Sequence, residues 1–322
     1  MLSIHDPAGR EPSQLSGQDC GLGLWLDLCE PDAGELRRAA ELTGVDERLI
    51  EHALDLHECP RIEVDDEATL LILRAPFLET RHGDLRHSTL PVGVVLAPGA
   101  LITICRQADA PLAEILRRVR QRNTQASPLR PEQLICALTK GVAQLFMHYL
   151  KDISARIQEV EQDLARSRSN DDLMVLLALQ KSVTYFHSAL KTNDFIIDRL
   201  VRKGLTVGAS ARLAFTEDEA DVLDDALTDT RQGIYMSKIF NEVLNSISGV
   251  YSSIISNSVN QIMKVLTSFT VVLMVPTLVT SMYGMNISLP LQGHPSAFAL
   301  VAAGTALLTT AIIVLLKRSK ML

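Results

Sequence analysis

The residues whose types and spacing suggest chemistry lie near the C-terminus. Polar or polarizable side chains recur at alternating steps of three and four residues along one apolar segment and the residues just before it: Asn260, Met263, Thr267, Thr270, Met274, Thr277 and Ser281. In a helix, this 3.5-residue period places them along one side, as parallel helices around a common axis require. A Gly-Met-Asn triplet follows at 284–286. Neutral amide and hydroxyl oxygens suit the water shell of a divalent cation.

A simpler explanation applies to any single threonine of this stripe. Its hydroxyl can bond its own helix backbone or a neighbouring helix. The prediction of a water-filled path therefore depends on the stripe as a whole. Because two spans in one chain cannot enclose such a path, a pore along the stripe requires a homo-oligomer.

The stripe coincides with the first of two apolar segments. Val265 to Met282 and Ala297 to Leu316 contain no charged side chain, and each approaches the roughly 20 residues that cross a bilayer. Lysine 264 precedes the first, basic residues 317, 318 and 320 follow the second, and 286–296 contains neither lysine nor arginine. The positive-inside rule predicts a multi-pass protein of the inner (plasma) membrane with both termini in the cytoplasm. A soluble helical hairpin is disfavoured because the second segment lacks a polar face.

The rest of the chain predicts an α+β cytoplasmic domain followed by long helices. Short apolar runs alternate with helical patterns in an α/β domain over 1–130. Helical periodicity predicts a long antiparallel hairpin over 131–215, with its turn near 167–170 and a loop near 204–208. One helix is predicted over 216–283, entering the first span at about 262–283 and reaching about 100 Å. An external loop at 284–296, a second span at 297–316 and a basic tail at 317–322 complete the chain.

Composition excludes several classes of function. A net charge of −7 opposes nucleic-acid binding, which normally requires a basic face. The five cysteines show no CxxC spacing and predict reduced thiols rather than a disulfide framework or zinc cluster. No Gly-rich phosphate loop, HExxH or GxSxG motif is present, so an enzyme is not predicted.

Tyr283-Gly284-Met285-Asn286, at the outer end of the first of two C-terminal spans, resembles the signature of the CorA family of magnesium transporters. The approach to it from Asn260 to Thr267 and the order of elements agree, so the resemblance covers essentially the whole chain. It implies a funnel-shaped homopentameric channel for Mg²⁺, or for Co²⁺ or Ni²⁺, with the divalent cation as substrate and possible regulator and with no other cofactor.

The resemblance also implies roles for individual residues. The selectivity filter would be Gly284, Met285 and Asn286: the amide oxygen of Asn286 would hold the hydrated ion, Gly284 would allow a sharp turn, and Met285 would pack to hold it. Together with the stripe, the resemblance implies that the following residues line the pore, the two methionines and the leucine as hydrophobic gates: Asn260, Met263, Leu266, Thr270, Met274 and Thr277.

The chain departs from the family at two places. Residues 287–294 contain no carboxylate where many members have an acidic loop, so weaker cation attraction is expected there, and His294 could bind a softer metal. Gly249 stands where many bacterial members have an aspartate that binds inhibitory cytosolic Mg²⁺ between protomers. Four acidic residues remain as candidate regulatory ligands, with solvated surface as the alternative for each: Asp225, Asp229, Asp65 and Asp66.

Two alternative functions remain open. Gly249 brings the ZntB branch of the same family into consideration, whose members are proposed to move Zn²⁺, possibly with protons. Proton coupling would need a titratable group in the membrane path, and Val265 to Met282 contains none, which favours flow driven by the membrane potential. The second alternative is a non-conducting, membrane-anchored oligomeric scaffold, for which replacing Asn286 would have no effect.

Overall fold

The computed structural model describes residues 2–5, 24–81, 84–107, 110–122, 129–166, 170–208, 211–287, 290 and 295–319. The predicted hairpin turn at 167–169 and His294 lie outside these residues. The chain forms two compact units, Met1–Ser246 and Ile247–Leu322.

A six-stranded mixed sheet forms the centre of the first unit. The strand bounds are β1 Leu2–His5, β2 Leu24–Cys29, β3 Arg61–Val64, β4 Thr69–Arg81, β5 Asp84–Ala97 and β6 Ala100–Cys105. The strands lie in the order β1-β2-β6-β5-β4-β3, and β2 pairs with β6 in parallel while the other neighbours are antiparallel. Gly99, with a φ of 77°, completes the tight turn between β5 and β6, where a side chain would be strained.

Two short helices, α1 (Ala33–Thr43) and α2 (Glu47–His52), cover one face of the sheet. Leu24, Leu26 and Leu28 alternate along β2 and are buried in a core shared with both helices. Asp32 caps α1: its side chain accepts from the backbone N–H of Glu35, and the Glu35 side chain accepts from the backbone N–H of Asp32. These strand and helix positions confirm the α/β prediction.

Three helices cover the other face: α3 (Ala110–Arg122), α4 (Pro131–Arg166) and α5 (Asn170–Lys203). Phe146 of α4 and Phe186 of α5 meet edge to face at 5.1 Å between ring centroids. Both helices also contact β4 and β5. The helical hairpin is therefore part of the same compact unit as the sheet, because its apolar faces are buried against the strands.

Helix α6 (Glu217–Tyr283) is 67 residues long and continuous, which confirms the single long helix. Thr216 and Glu219 form a capping box at its start, with hydrogen bonds of 3.3 and 2.9 Å. Arg231 of α6 forms ion pairs of 3.0 Å with Asp194 and Asp198 of α5. Between α5 and α6, where the sequence predicts a loop, Thr206–Val207 (β7) and Ala211–Arg212 (β8) pair as a small hairpin.

The second unit contains the distal part of α6 and helix α7 (Ala297–Arg318). Each of these two helices includes a stretch long and apolar enough to cross a membrane. Helix α7 has no buried residue, and its Phe298 is 88% exposed. Apolar side chains so exposed indicate that lipid or other copies of the chain cover them.

Candidate functional site

The six predicted pore-lining residues occupy one side of α6. All six side chains are exposed in the single chain: Asn260, Met263, Leu266, Thr270, Met274 and Thr277. At about 100° per residue, their positions fall within an arc of about 120°. The structure thus brings them together as a continuous strip about four to five helical turns long.

The two threonines of this strip bond to their own helix. Thr270 Oγ1 donates to the carbonyl of Leu266 at 2.9 Å, and Thr277 Oγ1 donates to the carbonyl of Leu273 at 2.8 Å. These bonds to the helix backbone are the simpler explanation for the presence of each single threonine. They use only the hydrogen of the hydroxyl group. With its proton engaged, each oxygen keeps a lone pair that accepts hydrogen bonds. Such an acceptor suits the hydrogens of water molecules around a cation.

Helix α7 faces a different side of α6. A cavity of about 800 Å³ is lined by Pro276, Thr280 and Tyr283 of α6 and by residues of α7 that include Phe298 and Thr305. The centre of this α7-facing side lies about 130° around the helix from the centre of the strip. The strip is therefore not covered by the second apolar helix of its own chain.

The Tyr-Gly-Met-Asn motif forms the end of α6. Tyr283 is its last residue, Gly284 N–H still donates to the Thr280 carbonyl at 3.0 Å, and Met285 N–H donates to the Met282 carbonyl at 3.3 Å. Gly284 does not have a positive φ. A Cβ there would lie 3.3 Å from the Thr280 oxygen, so close approach to the helix end, rather than a left-handed turn, is what glycine permits. Asn286 is exposed just beyond the helix.

Met285 is 53% exposed, so contacts within the chain leave half of its surface uncovered. The Tyr283 hydroxyl donates to the carbonyl of Pro290 at 3.5 Å, which links the helix end to the segment that follows. This hydrogen bond was not anticipated from sequence, where Tyr283 was significant only as part of the motif.

Two of the candidate regulatory carboxylates share a lysine. Lys140 Nζ of α4 lies 3.3 Å from Asp225 Oδ2 and 3.1 Å from Asp229 Oδ2 of α6. Burial lowers the pKa of Lys140, but the hydrogen bonds to Asp229 and Asp225 outweigh it and raise the pKa above its usual value. Sequence reasoning missed Lys140 because a pairing between residues so distant in sequence leaves no local pattern.

The other two carboxylates lie elsewhere. Asp65 and Asp66 are exposed and line a surface cavity of about 500 Å³ together with Glu41, Asp46 and Glu67. Within the described residues of one chain, no three His, Cys, Asp or Glu side chains are grouped closely enough to hold a metal ion. The four candidate regulatory residues are thus not assembled into one site by a single chain.

Gly249 lies on an exposed part of α6. A Cβ built there meets no atom within 4 Å, so the position accepts a side chain without steric conflict. The absence of the aspartate found in many bacterial members of the family is therefore not imposed by local packing.

Comparison with known proteins gives a consistent result. The model of the CorA family, described as CorA-like Mg²⁺ transporter protein, matches residues 23–318. The cobalt/magnesium transport protein CorA of Methanocaldococcus jannaschii is 28% identical over 318 residues, which cover 95% of this chain and 93% of that protein. The magnesium transport protein CorA of Yersinia pseudotuberculosis is 25% identical, with coverages of 95% and 96%.

Solved structures agree on the fold. The complete structure of the CorA magnesium transporter from Methanocaldococcus jannaschii matches 99% of this chain and 98% of its own, with a TM-score of 0.80 and 25% identity. The full-length CmaX protein shares the fold at 17% identity, with a TM-score of 0.70 over 98% of this chain and 97% of its own. Since the family model matches residues 23–318, nearly all of the sequence, this chain belongs to the CorA family of Mg²⁺ transporter proteins.

Proposed function

We propose that this chain is one protomer of a homo-oligomeric channel that admits Mg²⁺, and also Co²⁺ or Ni²⁺, along helix α6. The observation that carries the proposal is the exposed strip from Asn260 to Thr277, which faces away from α7 and leads to Asn286. The names of the relatives, magnesium and cobalt/magnesium transport proteins, support the choice of cation.

An oligomer is needed because one strip cannot surround an ion. A ring of copies with the strips turned inward would enclose a path and would turn Met263, Leu266 and Met274, which are 53%, 58% and 61% exposed in the single chain, toward that path and away from lipid. The family resemblance makes five the expected number. Neighbouring copies would also supply the contacts that Met285 lacks within its own chain.

Selection of Mg²⁺ would use neutral oxygens rather than carboxylates. Mg²⁺ gives up its water slowly, so a ring of Asn286 amide oxygens can hold the hydrated ion through its water molecules. The acceptor lone pairs of Thr277 and Thr270 would contact the same shell farther along. Met274 lies between the two threonine levels, and Leu266 and Met263 lie between Thr270 and Asn260. Rings of these three residues would form apolar constrictions that can close by expelling water.

The membrane potential is the proposed driving force. Lys264 before the first span and Lys317 and Arg318 at the end of α7 support a cytoplasmic location for these ends by the positive-inside rule. Asn286 then faces the exterior. A potential that is negative inside favours entry of a divalent cation by about 4.6 kcal/mol per 100 mV.

Regulation by cytosolic Mg²⁺ would differ from that of members with the conserved aspartate. A cation binding at Asp225 and Asp229 must displace the Lys140 ammonium, which already neutralises part of their charge. Asp65 and Asp66 carry no such lysine in their cavity lining. Any regulatory site between protomers would therefore draw on Asp65 and Asp66 more readily than on the other pair.

Flux through purified protein in liposomes tests the proposal. Mg²⁺ uptake should follow an imposed potential, ignore an imposed pH gradient, and be abolished or made unselective by Asn286→Ala while the oligomer persists. Asn257→Ala, an exposed asparagine of α6 outside the strip, is the matched control and should leave uptake unchanged. Unchanged uptake in Asn286→Ala would contradict the filter. An absence of uptake would favour a scaffold, and Zn²⁺ uptake that needs the pH gradient would favour ZntB-like transport.

A further inference from the structure

Two cysteines that are far apart in sequence meet at one edge of the sheet. Cys29 ends β2, Cys105 ends β6, and the two are direct partners in the register of this parallel pair. Their thiols are hydrogen-bonded to each other. The proposed transport function uses neither residue.

The backbone geometry at this pair suits a covalent bond between the sulfurs. Neighbouring strands lie about 4.8 Å apart, and disulfides join Cα atoms about 4.4–6.8 Å apart. Register partners in a sheet also present their side chains on the same face. The Glu30 N–H donates to the Cys105 carbonyl at 3.0 Å, which holds the two strand ends together.

The two thiols differ in access. Cys29 is partly exposed, whereas Cys105 is 1% exposed. The residues that follow them, Glu30 and Arg106, line a surface cavity of about 360 Å³, so solvent reaches this end of the strands. Burial raises the pKa of the Cys105 thiol, which keeps it protonated until a reaction partner is beside it.

We propose that Cys29 and Cys105 form a redox-active dithiol that is oxidised reversibly to a disulfide by exchange with a small disulfide such as glutathione disulfide. The Cys29 thiolate attacks one sulfur of the small disulfide, forms a mixed disulfide and releases one small thiolate. Cys105 transfers its proton to that thiolate and attacks the Cys29 sulfur, releasing the second thiolate. The second small thiolate takes from solvent the proton that Cys29 lost when it ionised. The protein thus loses two electrons and two protons, and the small disulfide gains them as two thiols.

The remaining described cysteines provide internal controls. Cys59 is exposed, so it should accept a glutathione adduct and keep it. Cys136 is buried, and its thiol donates to the Glu219 carbonyl at 3.4 Å, so it should stay unreacted. The dithiol differs from both in having a reaction partner in place.

Sequential alkylation of the purified full-length protein tests this proposal. After incubation with glutathione disulfide, the protein is denatured so that buried thiols also react, and free thiols are blocked with N-ethylmaleimide. The protein is then reduced, and newly released thiols are labelled with iodoacetamide and mapped by mass spectrometry. In the native sequence, Cys29 and Cys105 should both move to the second label, and non-reduced digests should contain their linked peptides. In Cys105→Ser, Cys29 should stop at the glutathione adduct; in Cys29→Ser, Cys105 should remain in the first label.

Three results would overturn the dithiol. The first is that Cys105 stays in the first label at every oxidant concentration in the native protein. The second is that Cys29 retains a stable glutathione adduct there, and the third is that Cys29 links instead to Cys20 or Cys59. These outcomes are read from the native protein, so they decide the matter even if a serine variant fails to fold.

Discussion

The two units of this chain differ in the burial of their apolar side chains. In the first unit, Leu26, Ile72 and Ile102 are fully buried between the sheet and its own helices. In the second, Leu307 is 74% exposed and Leu315 is 67% exposed on a helix with no buried residue. Because aliphatic side chains of the same kind are buried in one unit and exposed in the other, the two units are suited to different environments. The first unit completes its core within the chain, whereas the second presents apolar helices of a length and composition that fit a membrane.

Polar groups show the same contrast. In the first unit some of them join different elements: the Asn193 side chain accepts from the Arg74 N–H at 3.0 Å and donates to the Arg74 carbonyl at 2.8 Å, linking α5 to β4. In the second unit, Thr277 and Thr310 bond the backbone of their own helices. Cross-links between elements specify a rigid domain, while self-satisfied helices leave their outer faces free to contact lipid, water or a neighbour.

Breaking the buried ion pair of the first unit should have the largest effect. Asp27 is 2% exposed, forms an ion pair with Arg120, and accepts from Thr103 Oγ1 at 2.7 Å. Asp27→Ala leaves Arg120 without its carboxylate and should lower the free energy of unfolding by about 3 kcal/mol, the low end for a buried pair, because the Arg120 side chain is itself 35% exposed. Urea unfolding can be followed through Trp25, the single tryptophan, whose indole N–H donates to Thr103 at 3.1 Å.

The exposed pair of Glu114 with Arg117 offers the control for that change. Glu114→Gln should shift the unfolding midpoint very little, because solvent screens the pair. Equal effects of Asp27→Ala and Glu114→Gln would mean that the buried pair does not hold α3 to the sheet.

A charge placed on α7 should affect membrane insertion. Leu307→Arg puts a guanidinium near the middle of the proposed second span, at a cost of about 3 kcal/mol. The integrated fraction after alkaline extraction should fall accordingly. Phe195→Arg, at a 68% exposed position of α5, should insert like the native chain. Normal insertion of Leu307→Arg would mean that the exposed surface of α7 does not contact lipid any more than the exposed surface of α5 does.

Removing one hydroxyl from the strip should reduce conduction moderately. Thr277→Val deletes an acceptor for the ion's water shell, which is worth about 1 kcal/mol, or about fivefold in flux. Thr310→Val removes a hydroxyl with the same kind of backbone bond from α7 and should leave Mg²⁺ flux unchanged. Flux can be measured in liposomes with an internal Mg²⁺ indicator. Equal losses in both variants would assign the effect to helix stability instead.

The smallest expected effect is a pH dependence of the first unit. His87 is 6% exposed and packs edge to face against Tyr149 and Phe186. Burial, with a smaller contribution from Arg156, lowers the pKa of His87 below its ordinary 6.5, while Asp152 acts in the opposite direction. Just below pH 6.5, the unfolded chain therefore binds more protons at this histidine than the folded protein does. The stability contributed by neutral His87 is present above pH 6.5 and is lost as the pH falls below that value.

Unfolding midpoints between pH 7.5 and 5.5, a range set around the ordinary histidine pKa of about 6.5, measure this effect. His87→Phe keeps an aromatic ring in place against Tyr149 and Phe186 and should flatten the dependence. An unaltered slope in His87→Phe would move the origin of the dependence to another group.

Much of this architecture could be predicted from sequence because it follows from local periodicity. The long helix α6, the hairpin helices α4 and α5, and the two apolar helices each carry their pattern within a continuous segment. The strip on α6 was predictable for the same reason, since all its members belong to one helix. Capping at Asp32 also follows a local rule.

The features that escaped prediction depend on contacts between distant segments. The Lys140 ammonium between Asp225 and Asp229, and the meeting of Cys29 with Cys105, arise from helix packing and strand order, which no spacing in the sequence records. The pairing of β7 with β8 was missed because strands of two residues carry no readable alternation. The assignment of filter and pore residues stays a prediction that only measurements on the assembled protein can test.

Cysteine-scanning along α6 tests the central claim, that one side of this helix lines an aqueous path. In a background without the native cysteines, single cysteines would be placed in the strip and, as controls, at Val265 and Val272, which lie on the opposite side of the helix. Labelling by a water-soluble thiol reagent should occur, and should block Mg²⁺ flux, at the strip positions but not at the two controls. Labelling of Val265 and Val272 with protection of the strip would contradict the account. The strip positions are Asn260, Met263, Leu266, Thr270, Met274 and Thr277.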